Sequence, residues 1–166
     1  MNVVLPINNY SNDNIYLLDS KQNIITDGIF TKIIFSNKLF AMNGIFLFFP
    51  IDTDNIINSN GRYFIHFNPN SSHNSDIIKN VYTIEDNILD LYKNTNNIKK
   101  KKTYVLNNQL FTGNIKVYKD NYDSSQDIFY SNKLFILKIS GIWENDFEFG
   151  ITYKIIIAKK LSHLKY

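Results

Sequence analysis

Side chains able to do covalent or metal chemistry are sparse in this chain. His66, His73 and His163 are its three imidazoles, and it has no Cys. The lack of thiols excludes a disulfide framework, a Cys nucleophile, Cys-type zinc sites and iron–sulfur ligation. His66 and His73 stand seven residues apart, and no third His or carboxylate sits at ligand spacing beside them. Asp52-Thr53-Asp54 opens like a calcium loop, but Ile57 and Tyr63 occupy the places where such a loop needs Gly and Glu. Glu144, Asp146 and Glu148 are three carboxylates within five residues. They read either as a cation or acid–base cluster or as a solvated turn. There is no G-x-S-x-G and no P-loop. The expectation is a protein without catalytic residues, metal or cofactor.

Lysine is the more informative type. The chain has 17 Lys against a single Arg, Arg62, together with 25 Asn and 26 Ile. All three types are favoured by A/T-rich codons, so part of this excess reflects the genome and not selection for ammonium chemistry. The net charge is only +3, but it is segregated. Residues 79–119 hold eight Lys against three acids, residues 151–166 hold four Lys and no acid, and residues 120–150 hold six acids against two Lys. Local basic excess next to exposed aromatics is the pattern of a single-strand nucleic-acid binder, in which ammonium groups neutralise phosphates and rings stack on bases. A solvated sheet face with tolerated lysines is the alternative. Lys99, Lys100, Lys101 and Lys102 carry three readings, as a phosphate-gripping loop, as a simple nuclear address or as a charged linker.

These groups need elements to position them. At 166 residues, 44% hydrophobic and 15% aromatic, the chain is expected to form one domain over 1–166, with its core in 28–158 and with 1–20 and 159–166 peripheral. Strands are expected near 3–7 or 15–18 and at 29–35, 45–49, 62–67, 103–106, 114–119, 133–143 and 151–158. Along 29–35, Ile29, Thr31, Ile33 and Phe35 share one face, and Phe30, Lys32 and Ile34 the other. The run 45–49 is apolar throughout and so expected to be covered on both faces. Residues 52–61 read as a polar loop ending in the turn Asn60-Gly61. One amphipathic helix is expected over about 75–93, capped by Ser75, with Ile77, Val81, Ile84, Ile88 and Leu91 on its buried stripe. In the C-terminal strands, alternation places Phe135, Leu137, Ile139 and Trp143 together. It sends Lys116, Tyr118, Lys138, Thr152 and Lys154 to the opposite, exposed side. Trp143 reads as a core plug or as a stacking ring, with the strand pattern favouring the core. The class is mainly β (α+β), an antiparallel sheet or a small partly closed barrel. Ser36-Asn37-Lys38-Leu39-Phe40 recurs as Ser131-Asn132-Lys133-Leu134-Phe135, an echo that a low-entropy alphabet also produces by chance. No secretory leader and no membrane-spanning run is read, which points to an intracellular protein.

The run 135–155, FILKISGIWENDFEFGITYKI, carries a resemblance. An apolar strand, Gly141-Ile142-Trp143, a polar turn and then Phe149-Gly150-Ile151-Thr152-Tyr153-Lys154 resemble the C-terminal signature of single-stranded-DNA-binding proteins of large DNA viruses. These are related in fold to the phage T7 type. Residues 30–35, 43–46 and 110–117 are similar to the same group. The resemblance implies an OB-like barrel with an inserted helix. It also implies sequence-independent binding of single-stranded DNA, with RNA as a variant ligand, in viral replication, recombination or repair. That work would be done in the host cytoplasm or nucleus, without catalysis and without a membrane. Trp143, Thr152, Tyr153 and Lys154 belong to the motif, and Lys116 to the upstream match. A homodimer is compatible with it. The family's acidic, aromatic-tipped tail, which recruits replication partners, has no counterpart in the basic residues 158–166. A β-rich structural or protein-interaction module without nucleic-acid affinity is the competing reading.

Overall fold

The computed structural model describes residues 3–24, 27–119 and 133–159. Its centre is a long antiparallel hairpin of β10 (Lys133–Glu144) and β11 (Glu148–Lys159). The hairpin turns tightly because the Asn145 side chain accepts hydrogen bonds from the N–H groups of Phe147 and Glu148, both at 2.9 Å. Each strand of the hairpin has two partners, one near the tip and one near the base. β10 pairs with β3 (Ile29–Ser36) near the tip and β5 (Ile45–Phe48) near the base, both antiparallel. β11 pairs with β8 (Lys101–Thr103) near the tip and β9 (Asn114–Lys119) near the base, both parallel. Beyond β9 come β7 (Arg62–His66) and β6 (Asn55–Ser59). Beyond β3 lie β1 (Ile15–Leu17), β2 (Lys21–Gln22) and β4 (Ala41–Asn43).

The α+β, mainly β class is therefore as expected. The expected partly closed antiparallel barrel is not what forms: among the described residues eleven strands make one mixed sheet whose path is open, ending at β1 and β6. The two parallel pairings have a local cause. The sequence pattern predicts a strand over 103–106, but β8 ends at Thr103 and a short helix α2 (Val105–Phe111) follows. Leu106 and Leu110, four apart, are both fully buried on it. The helix carries the chain from one parallel partner of β11 to the other.

Helix α1 (Ser72–Thr95) starts three residues earlier than expected. Ser71, not Ser75, caps it, with its Oγ accepting from the Asn74 N–H at 3.3 Å. Asn74 itself is buried and hydrogen-bonds both the N–H and the C=O of Asp52 and the C=O of Asn68, which ties the helix start to the strands before it. The buried stripe keeps Ile77, Val81, Ile84 and Ile88 and continues through Leu89 and Tyr92 in place of Leu91. Residues 52–61 are not all loop. Residues 55–59 form β6, and Asn60 and Gly61, with φ of 52° and 75°, make the expected hairpin turn. Both faces of β5 are covered, as its continuous apolar run implies: Ile45, Phe46 and Leu47 are all buried.

Most of the core lies on one side of the sheet, with Phe46 of β5 buried on the other. Thr31, Ile33 and Phe35 of β3, Leu137, Ile139 and Ile142 of β10, and Ile151 and Ile155 of β11 are all buried. The Tyr92 ring of α1 packs on Phe149, with centroids 5.5 Å apart. Among the described residues no helix is long and apolar enough to cross a membrane. His163, the tail 160–166 and Ser131-Asn132 of the echo lie outside the described residues.

Candidate nucleic-acid interface

The decisive local feature is a β-bulge in β10. The pairing with β11 runs regularly to Ile139–Tyr153 and resumes at Gly141–Thr152, so Ser140 is the extra residue. One extra residue inverts the alternation. Phe135, Leu137 and Ile139 face the core before the bulge; Ile142 and Glu144 face it afterwards. Trp143 thus does not share a face with Phe135, Leu137 and Ile139, contrary to the pattern read from the sequence. It turns to the side away from α1, where it is half-buried.

Register then defines rows of side chains on that outer face. Nearest the hairpin tip run Lys21, Phe30, Trp143, Gly150 and Thr103. The next row is Lys32, Gly141 and Thr152. The third is Phe46, Lys138 and Lys154. Toward the base, Ile156 pairs with Tyr118 of β9. Lys116 lies two residues before Tyr118 on the same face, its Nζ 4.6 Å from the centroid of the Tyr118 ring. Lys32, Thr152, Lys154 and Tyr118 are exposed.

Lys32, Lys138 and Lys154 form one cationic cluster. The Lys138 ammonium is held below the usual lysine range, first by burial and then by the charges of Lys154 and Lys32. Its Nζ lies 5.0 Å from the centroid of the Phe46 ring, a cation–π contact. Among the described residues no carboxylate makes an ion pair with any of the three. Among the described residues, then, this group of like charges that repel one another has no acidic counter-ion.

The structure brings together five of the residues expected to act. Lys138, Thr152 and Lys154 are neighbours on β10 and β11, and Lys116 and Tyr118 extend the same face on β9. The run 99–102 divides. Lys100 donates to Glu144 Oε1 at 2.6 Å and to the Asn145 carbonyl at 2.7 Å. Lys102 is held between Asp86, at 2.7 Å, and Asp90, at 2.6 Å, on α1. Burial works against the charge of Lys102, but its hydrogen bonds to Asp86 and Asp90 outweigh that and raise its pKa. These two lysines are neutralised within the fold, whereas Lys99 and Lys101 are exposed. Tyr153 of the motif points to the core side, opposite Ile139.

The carboxylates near the hairpin tip do not act as one cluster, and the reading of all three as a solvated turn does not hold either. Glu144 is 9% exposed and takes a hydrogen bond from the Tyr92 hydroxyl at 2.6 Å beside the one from Lys100. Glu148 pairs with the Thr103 hydroxyl, and Asp146 is exposed. Among the described residues no group of three His, Asp or Glu could hold a metal ion. His73 contacts the Pro50 carbonyl at 2.8 Å. Sequence reasoning missed Lys32, Phe30 and Trp143 as members of the outer face. Lys32 and Phe30 had the right parity on β3, but which strand would lie beside β10 was not legible. No protein-family model matches this chain, and neither a curated protein nor a solved structure matches it.

Proposed function

We propose that this protein binds single-stranded DNA, without catalysis, on the outer face of its sheet. The observation that carries this reading is the cluster of Lys32, Lys138 and Lys154, which has no described acidic partner. Three ammonium groups on one face supply the phosphate contacts, and Lys116 with Tyr118 extends the path toward the sheet edge. The resemblance to the viral single-stranded-DNA-binding proteins supports the reading through Trp143, Thr152 and Lys154, which share that face. An OB-like scaffold belongs to the same proposal. Its support is the long bulged hairpin with different partners at its two ends, set against a sheet path that stays open. Service in replication, recombination or repair of a viral genome follows from the resemblance alone.

The test is fluorescence anisotropy with a labelled oligothymidylate, duplex DNA and RNA of equal length at several salt concentrations. Three phosphate contacts give a slope of log K against log salt of about −2 for a single strand. Substituting Lys32, Lys138 and Lys154 together with Glu should abolish binding and leave the circular dichroism spectrum unchanged. Unchanged affinity in that variant overturns the site. A specific feature favours one rival: edge strand β6 carries no charged residue and exposes Ile57, as an edge open to a protein partner does. That rival predicts a stable oligomer and no salt-dependent affinity for any nucleic acid.

A further inference from the structure

Two glycines on the outer face exist for their lack of a side chain. Four described glycines, Gly28, Gly44, Gly61 and Gly113, have positive φ and meet a backbone need. Gly141 and Gly150 have no positive φ, but a Cβ on either would meet both backbone, the Thr31 carbonyl oxygen at 2.4 Å and the Thr103 carbonyl oxygen at 2.8 Å, and an aromatic ring. A Cβ on Gly141 would stand 2.4 Å from Phe30 Cζ and 2.9 Å from Cε2. A Cβ on Gly150 would stand 2.8 Å from Trp143 Cζ2 and 3.1 Å from Cε2. Each ring therefore leans from its own strand over a glycine of the next strand, Phe30 from β3 onto β10 and Trp143 from β10 onto β11. Ring atoms thus occupy the space above the backbone of each glycine. Both rings are half-buried, which agrees with one covered side. Lys21 stands beside Phe30 in the same row, and Lys32 comes two residues further along β3, about 7 Å away.

From these positions we infer that Trp143 and Phe30 form a two-ring platform on which successive unpaired bases stack. This rests on the single-strand reading above and deepens it. Lysines alone attract any polyanion. Flat rings set in the sheet beside them favour a ligand whose bases are free to lie down, so the platform selects single strands over duplex. The bulge and the two glycines have a common effect in this scheme: the bulge turns Trp143 outward, and the glycines let both rings lie low.

Trp143 is the one tryptophan in the chain, so intrinsic emission reports on the platform directly. The experiment titrates the protein with oligothymidylate and with an abasic deoxyribose-phosphate oligomer of equal length, following label anisotropy and Trp emission together. Both ligands should raise anisotropy, and only oligothymidylate should quench Trp143. Trp143→Leu should weaken oligothymidylate binding about tenfold, as the loss of one stacked base does, while affinity for the abasic oligomer stays within about twofold. If anisotropy rises but emission does not change, or changes equally with both ligands, the platform is wrong while the phosphate contacts stand. Wild-type affinity for oligothymidylate in Trp143→Leu likewise overturns the platform alone. Failure of both ligands to bind at low salt overturns the single-strand reading and the platform with it.

Discussion

Glu85 offers the sharpest test of the packing that holds the sheet and its helices together. It lies on α1, is completely buried, and accepts hydrogen bonds from the N–H groups of Leu106 at 3.1 Å and Asn107 at 2.9 Å in α2. Burial pushes its carboxyl up to about 7, against the opposing pull of those N–H groups; neighbouring Asp86 adds a smaller upward push. The same carboxyl in the unfolded chain titrates near about 4.3. Between these values the folded protein holds a proton that the unfolded chain has released. Stability from this group is therefore greatest below the unfolded value, falls as pH rises through the window, and levels off above about pH 7. At 1.36 kcal/mol per unit the fall is about 4 kcal/mol. Glu85→Gln removes the titration. Its amide oxygen can still accept from one N–H, and misfit of the amide nitrogen against the other costs about 1–3 kcal/mol at every pH. Wild type should thus be the more stable protein near pH 4, and its advantage should vanish or reverse near pH 8. Urea unfolding followed by Trp143 emission at a series of pH values measures this. If the two proteins lose stability in parallel across the window, Glu85 is not the buried acid described here.

Two further perturbations separate structural from binding roles. Gly141→Ala and Gly150→Ala each place a methyl within 3 Å of a backbone carbonyl and an aromatic ring, so each should lower stability by about 1–3 kcal/mol in thermal unfolding. Gly141 should be the more costly, because its Cβ meets the Thr31 carbonyl and the Phe30 ring at 2.4 Å. Lys100→Met and Lys102→Met leave Glu144 and the Asp86–Asp90 pair without their cation. Each should cost about 1–3 kcal/mol in denaturant unfolding, yet leave affinity for oligothymidylate within about twofold. A large loss of affinity without loss of stability would return these lysines to the interface.

Much of the fold was legible because alternation is a local property. The faces of β3, the exposed sides of β9 and β11, and the stripe of α1 all follow from residues two, three or four apart, and each is found as expected save for Leu91, whose place on the stripe Leu89 and Tyr92 take. The failures share a different cause. Helix α2 reads as a strand in sequence because its buried apolar residues, Leu106 and Leu110, stand only about one turn apart. What settles it as a helix is the distant carboxylate of Glu85, twenty-one residues earlier than Leu106. The run 99–102 looks like one basic feature, but alternation sends Lys102 toward α1, where Asp86 and Asp90 stand one helical turn apart to receive it. Long-range partners decide both, and no window of sequence contains them.

Trp143 shows how far one residue of register carries. Without the extra residue Ser140, the strict alternation of β10 would bury the indole beside Ile139 and turn Glu144 to solvent. With it, Glu144 enters the core and meets Tyr92 and Lys100, and the indole comes out over Gly150 beside the lysines. Burying a carboxylate is unfavourable unless it is paired, and here it receives two hydrogen bonds, one of them from a cation. The same bulge therefore couples an otherwise unfavourable core contact to the exposure of an aromatic ring. A signal for it was present in the pair Ser140-Gly141 within an otherwise apolar strand, since glycine in a strand interior marks a bulge or a close approach. Gly141 is here for the second reason, the Phe30 ring above it, and the bulge sits one residue before.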